Sequence, residues 1–190
     1  MSILIYAESA EGKFKKVAFE LASYAKAVAQ NTGATVTAVT INAGDVSELG
    51  KYGVDKVLKI NDAKLSGFSA RAYADAIKQA AQKENAQLVL LSSTTDSLYM
   101  APLVAVALQA GFASNVVGLP VSMSPFQVKR NAFSNKAFNI TEINTAVKVL
   151  SLGKNSYGVS ENASSLSLED FSVNISDADL GVKVQATEKT

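Results

Sequence analysis

Two carboxylates and a run of hydroxyls are the residues best placed for chemistry. Glu8 follows the apolar run Ile3-Leu4-Ile5-Tyr6, and Asp96 lies in Ser92-Ser93-Thr94-Thr95-Asp96-Ser97, just after the apolar run at 87–91. Each apolar run reads as a strand buried on both faces. Glu8 and Asp96 therefore stand at strand ends and can meet across the mouth of one sheet. Paired carboxylates can do acid-base work. The hydroxyl run allows a second chemistry, because hydroxyls and free N–H groups at a helix start hold phosphate, and open α/β sheets bind ligands at the carboxyl ends of their strands. The plainer reading is commoner. Thr95, Asp96 or Ser97 caps the next helix, the carboxylates are solvated, and no lysine is obviously placed beside them.

Composition removes most other chemistry. The 190 residues contain no cysteine and no histidine. Disulfides, thiolate nucleophiles, thiolate or imidazole metal sites and a Ser-His-Asp relay are thereby excluded. Carboxylate metal sites stay open, although the acidic residues are scattered. A net charge of +1 gives no long-range field for nucleic acid or anionic lipid. No P-loop sequence is present, and no G-x-G-x-x-G follows a strand. The first strand leads instead into Ala7-Glu8-Ser9-Ala10-Glu11-Gly12, where one glycine is no signature.

The elements that must position these residues alternate. After the strand at 3–6, Val17, Leu21, Tyr24, Ala25 and Val28 repeat at the helical period, and Gly33 stands where a C′ glycine ends a helix. Residues 35–41 read as a second strand. Asp45 and Glu48 have capping-box spacing for a short helix ending near Gly53. Residues 56–60 form a third strand. A helix from Ser69 carries Tyr73, Ala74, Ile77 and Ala81 on one face. The strand at 87–91 precedes the hydroxyl turn and a largely apolar helix at 100–109, ending at Gly111. A fifth strand covers 116–121. Such alternation implies a parallel sheet with helices on both faces.

After about Pro120 the helical period stops. Short alternating segments at 126–133, 146–152, 171–175 and 182–184 predict antiparallel strands added to the edge of the core. Residues 155–165 are polar and read as a mobile connector. The expected organisation is a three-layer, doubly wound, mostly parallel Rossmann-like α/β core over 1–122, with a β-rich extension of the same domain over 123–190. Lys129 and Arg130 with Phe126 and Phe133 form a small basic and aromatic cluster. It is too narrow for nucleic acid, and it suits an interdomain or subunit contact or a charged, aggregation-resistant edge strand. The N-terminus lacks the layout of a signal peptide, and no apolar run approaches the roughly 20 residues of a membrane helix. The expectation is a soluble cytoplasmic protein, in which the Asn-x-Ser/Thr triplets at Asn139, Asn162 and Asn174 carry no glycan.

Several blocks together resemble the alpha subunits of electron transfer flavoproteins. Ile3-Leu4-Ile5-Tyr6-Ala7-Glu8, then Gly12-Lys13 and a helix, is similar to the start of that family. Glu48-Leu49-Gly50-Lys51-Tyr52-Gly53-Val54-Asp55-Lys56-Val57 resembles its A-x-Y-G-A-D-K-V segment. Gln87-Leu88-Val89-Leu90-Leu91-Ser92-Ser93-Thr94 with Met100-Ala101-Pro102 resembles D-L-V-L-L-x-x-T … L-A-P-R. Ala113-Ser114-Asn115-Val116 resembles x-S-D-V, and the stretch from Lys129 to Ala137 resembles x-R-P-x-Y-A-G-N-A. The series runs in order over nearly the whole chain. Leu103 replaces the family's arginine after Ala-Pro, Ser134 replaces its glycine before Asn, and Leu152-Gly153-Lys154-Asn155-Ser156-Tyr157 replaces V-R-P-G-A-F.

The resemblance implies a fold like that of adenine-nucleotide hydrolases and a role as the alpha subunit's N-terminal domain. It implies a heterodimer with a beta subunit that carries electrons from flavoprotein dehydrogenases, such as the acyl-CoA dehydrogenases of fatty acid oxidation, to a quinone oxidoreductase. Family alpha subunits continue into a second domain that binds FAD through a motif like S-G-G-R-G. This sequence has no such motif before Thr190, so the implied FAD belongs to the full-length heterodimer and none is expected on this chain. Catalytic, cofactor-binding and metal-binding residues are accordingly expected to be none. The rival reading is a nucleotide-binding module of the universal-stress type, with the same α/β architecture but a glycine-rich phosphate loop not found here. A small enzyme built on the turn from Ser93 to Ser97 is the other.

Overall fold

The computed structural model describes residues 1–182. The chain runs β1 (Ser2–Tyr6), β2 (Ser9–Ala10), β3 (Lys13–Phe14), α1 (Lys16–Thr32), β4 (Thr35–Ile41), β5 (Lys56–Ile60), α2 (Ala70–Lys83), β6 (Leu88–Ser92) and α3 (Thr95–Ala107). It continues β7 (Gly111–Val116), β8 (Ser122–Met123), β9 (Phe126–Ala132), β10 (Ala137–Glu142), β11 (Lys148–Leu152) and β12 (Ser167–Asp170), with short 3-10 turns between. The main sheet has the order β10-β9-β7-β11-β6-β1-β4-β5-β12, with β8 against β9. From β7 to β12 every pairing is parallel, whereas β9 and β10 are antiparallel. The expected mixed α/β sheet with an antiparallel segment is what the chain builds.

Side-chain alternation splits each central strand between two cores. Ile3 and Ile5 of β1 pack with Leu21 and Ala25 of α1. Leu4 and Tyr6 pack on the opposite face with Ile77 of α2 and Met100 of α3. Because both faces are covered, these strands read as continuous apolar runs rather than alternating ones. Gly33 ends α1 in the left-handed conformation, φ 65°, its N–H donating to the Ala29 carbonyl.

Several expected elements are corrected. The fifth strand lies at Gly111–Val116 and not at 116–121. Its helix begins at Thr95 and ends at Ala107, five residues earlier at its start than expected. Gln109, at φ 52°, takes the left-handed position assigned to Gly111. Gly111 is needed for space instead, since a Cβ there would run into the Ile143 side chain.

Residues 148–152 form no edge strand. β11 lies between β6 and β7, parallel to both, with Leu150 opposite Leu90 and Ala113. Val149 through Leu152 are buried, the pattern of an interior parallel strand. β10, with its turn through Phe133, Ser134 and Asn135 at positive φ, has no counterpart among the expected strands.

Residues 171–175 are not a strand either; the strand is β12, one segment earlier, parallel to β5. The alternation of Phe171, Val173 and Ile175 is real, because all three pack into the core on the α2 and α3 side of the sheet. Their neighbour Asn174 exchanges both backbone hydrogen bonds with the Gln79 side chain, so no strand partner is required. Val182 is in no strand, and residues 183–184 lie outside the described residues.

Asp45 folds onto the N–H and hydroxyl of Ser47 and starts a 3-10 turn over Ser47–Tyr52 instead of a capping box; Gly53 ends that turn as expected. Residues 155–165 are not a loose connector. Glu20 accepts the N–H groups of Asn155, Tyr157 and Gly158, and the Asn162 and Ser164 N–H groups reach the carbonyls of Lys51 and Gly50.

Candidate functional site

The mouth of the sheet gathers the segments that leave β1, β6 and β11. A cleft of about 250 Å³ lies there, lined by Glu8, Val17, Thr95, Asp96 and Lys154 among others. A cleft of about 520 Å³ adjoins it, sharing Glu8, Lys15 and Asp96 and adding Tyr6, Phe68 and Tyr73. Glu8 and Asp96 thus meet at one site, as their strand-end positions imply.

Glu8 is buried, 3% exposed. Its Oε1 takes the ammonium of Lys15 in an ion pair, while its Oε2 is buried with no hydrogen-bond partner. The sequence reading places no lysine here. Local structure explains Lys15: β2 and β3 pair Ser9 with Phe14 and Ala10 with Lys13, so the hairpin returns residue 15 beside residue 8. The Lys15 N–H donates to the Glu8 carbonyl at 3.1 Å. That pairing of short strands around Gly12 is the signal that could have found it.

Burial, and then the charge of Glu8, push the Asp96 carboxyl above the usual aspartate range, and Lys15 partly opposes them. Burial raises the Tyr6 phenol well above its ordinary value, with Tyr73, Glu8 and Asp96 adding to it. Tyr73 is raised by burial and then by Asp96 and Glu8. The two rings stand edge to face, 6.3 Å apart.

The hydroxyl run is mostly structural. Thr94 caps α3, its Oγ1 accepting the Ser97 N–H at 3.3 Å, so capping occurs one residue before the three expected positions. Thr95 and Asp96 fall in the first turn, where N–H groups lack an intrahelical acceptor. The basic and aromatic cluster does not hold together. Phe126 is buried, Phe133 is 80% exposed, Arg130 bonds Ser114, and Lys129 stands 3.9 Å over the Phe138 ring.

Two features escape the sequence reading. Glu20 is a buried carboxylate between Val17 and Tyr24 on the apolar face of α1, and a charge on that face is its signal. On α3, Leu98, Tyr99, Leu103 and Val106 are exposed. With Pro102 they follow i, i+1, i+4, i+5 and i+8, one stripe of the helix. This helix is apolar all round, yet it is covered on one side. Among the described residues, no three acidic side chains converge as a metal site, and no helix is long and apolar enough to cross a membrane.

The electron transfer flavoprotein domain family matches residues 3–176. Three relatives are similar to the chain. Electron transfer flavoprotein subunit alpha of Bacillus subtilis is 24% identical over 188 residues, 98% of this chain and 58% of that protein. Electron transfer flavoprotein subunit alpha of Thermoanaerobacterium thermosaccharolyticum is 31% identical over 122 residues, 63% of this chain and 37% of that protein. Acryloyl-CoA reductase electron transfer subunit beta of Anaerotignum propionicum is 25% identical over 127 residues, 65% of this chain and 35% of that protein. The chain therefore spans little more than half of the first relative and just over a third of the other two.

Proposed function

The chain belongs to the electron transfer flavoprotein family, and on that premise we propose that it acts as the N-terminal α/β domain of an alpha subunit. Its role is to bind a beta subunit and form part of the rigid base of a heterodimeric carrier. That carrier takes electrons from flavoprotein dehydrogenases, acyl-CoA dehydrogenases among them, and passes them to a quinone oxidoreductase in the cytoplasm. The chain works as a carrier component rather than as an enzyme.

The observation that carries this reading is the stripe on α3. Leu98, Tyr99, Leu103 and Val106 leave an uncharged apolar face open on a helix otherwise packed into the domain. Such patches mark protein contacts, and a tyrosine such as Tyr99 is among the side chains that most often carry the binding energy there.

The family implies FAD, and the residues here do not fit a dinucleotide. The turn after β1 would need glycines so that its backbone could approach a pyrophosphate. It forms the β2–β3 hairpin instead and carries the buried Glu8 carboxylate. The flavin is accordingly assigned to the rest of the heterodimer. The test is co-purification of this chain with the beta subunit of the same source, recording flavin absorbance. A stable complex without flavin supports the reading. Stoichiometric FAD on the isolated chain, or no complex, overturns it.

A further inference from the structure

β10 closes one edge of the main sheet and has no neighbour beyond it among the described residues. All of its residues except Thr141 are exposed, and Phe138 and Ile140 are 63% and 52% exposed. Edge strands are usually protected by a proline, a bulge or charge along the strand. β10 holds no proline, keeps its one charge, Glu142, at its end, and pairs with β9 in unbroken register.

The hydrogen bonds of β9 fix which backbone groups this edge offers. The Ile143 N–H donates to the Phe126 carbonyl at 3.0 Å. Alternate residues of an antiparallel strand turn toward the same neighbour, so Ala137, Asn139 and Thr141 also face β9. The carbonyls of Gln127 and Lys129, opposite Glu142 and Ile140, turn the other way, to the N–H groups of Val121 and Val117. The N–H and C=O groups of Phe138, Ile140 and Glu142 therefore point out from the sheet, with no partner among the described residues.

A second β10 running antiparallel must set outward residues opposite outward residues, so a twofold axis has to pass through a residue. Centred on Phe138, the pairing puts Lys136 opposite Ile140; centred on Ile140, it puts Phe138 opposite Glu142. Centred on Asn139, it puts Phe138 opposite Ile140 and Lys136, just before β10, opposite Glu142, once on each side of the axis. Only this register matches apolar with apolar and cation with anion, the pairs that stabilise neighbouring strands. Glu142 accepts the Gln127 amide through one oxygen and keeps the other free among the described residues. The opposite edge strand, β12, carries Glu169 and Asp170 but no lysine or arginine, so it offers a second copy no such match.

We propose that two copies of this chain join β10 to β10 about a twofold axis at Asn139, so that their sheets become one. The contact is isologous, and the stripe on α3 takes no part in it.

The test is sedimentation of the full chain over a concentration series, with charge reversals and one engineered cysteine. Lys136→Glu and Glu142→Lys each turn both ion pairs into like-charge pairs, and each should weaken the dimer at least about fivefold. The double reversal restores both pairs and should restore the affinity. Asn139 meets Asn139 of the second copy as a pair without backbone hydrogen bonds, with Cα atoms about 4.5 Å apart, within disulfide range. The chain has no cysteine of its own. Asn139→Cys should therefore give a covalent dimer under mild oxidation, whereas Thr141→Cys, which falls opposite Ala137, should not. A monomer at every concentration up to about 1 mM overturns the proposal. So does a dimer that neither links through Asn139→Cys nor recovers in the double reversal, because its contact lies elsewhere. A monomer whose complex with the beta subunit is weakened by Lys136→Glu also overturns it, and gives this edge to that subunit.

Discussion

Glu20 accepts the backbone N–H of Tyr157 at 2.9 Å across 137 residues of sequence. The same carboxylate takes the N–H groups of Asn155 and Gly158. One helical turn further on, Tyr24 meets the Tyr157 ring edge to face at 5.4 Å. A single buried charge on α1 thus fastens the segment after β11 to the core.

Glu20→Ala should therefore cost more than an average surface change. It leaves three N–H groups without their acceptor, for a loss of about 1–3 kcal/mol. Urea unfolding gives the loss, and hydrogen exchange should quicken at residues 155–160 before it quickens in β1 or β6. An unchanged exchange pattern would show that the segment is held by other contacts.

Asp96 gives a pH dependence with a definite sign. Its folded-state pKa is raised by burial and by Glu8, so the fold favours the protonated form. Its stabilising contribution is complete below the ordinary value of about 3.9 and is lost as the pH rises through the folded-state value. Asp96→Asn, which mimics the protonated carboxyl, should raise the Tm at pH 7, and the gain should shrink as the pH falls toward about 4. Scanning calorimetry across that range checks it; a gain independent of pH would count against the assignment.

Lys15→Ala removes the one group that opposes this rise. The Asp96 midpoint, followed by carboxyl NMR, should then move further up. Movement downward would mean that Lys15 acts mainly by holding Glu8 in place.

Val106→Glu and Leu98→Glu place charge on the open stripe of α3. Both positions are exposed, so stability should stay within about 0.5 kcal/mol. Affinity for the beta subunit should fall at least about tenfold, because each change would bury an unpaired carboxylate in an apolar contact. Undiminished complex formation on a sizing column would place the contact elsewhere.

Gly111→Ala should destabilise the domain by about 1–3 kcal/mol. The added methyl meets Ile143 and approaches Thr145 Oγ1, which accepts the Gly111 N–H at 2.7 Å. Gly67, where a Cβ meets nothing within 4 Å, provides the control, and Gly67→Ala should be close to neutral in the same denaturant series.

What the sequence decided by itself is local. The apolar runs of β1, β4, β5 and β6 and the helical period of α1 and α2 read out correctly, because burial on two faces and on one helix face leaves distinct patterns along the chain. Glu8 and Asp96 could be placed at one mouth because strand ends in a parallel sheet share an edge. The tertiary structure decided the rest. β11 carries the same short apolar run as an edge strand, and only its insertion between β6 and β7 makes it central. Residues 171–175 alternate like a strand, yet Gln79 meets the backbone groups of Asn174. Lys15 looks like an ordinary surface charge until the hairpin brings the buried Glu8 carboxylate to it, and Glu20, though marked as a charge on the apolar face of α1, shows no partner until the fold brings three N–H groups to it. Periodicity records which side of an element is covered, but it cannot record what covers it, because the partner comes from distant sequence.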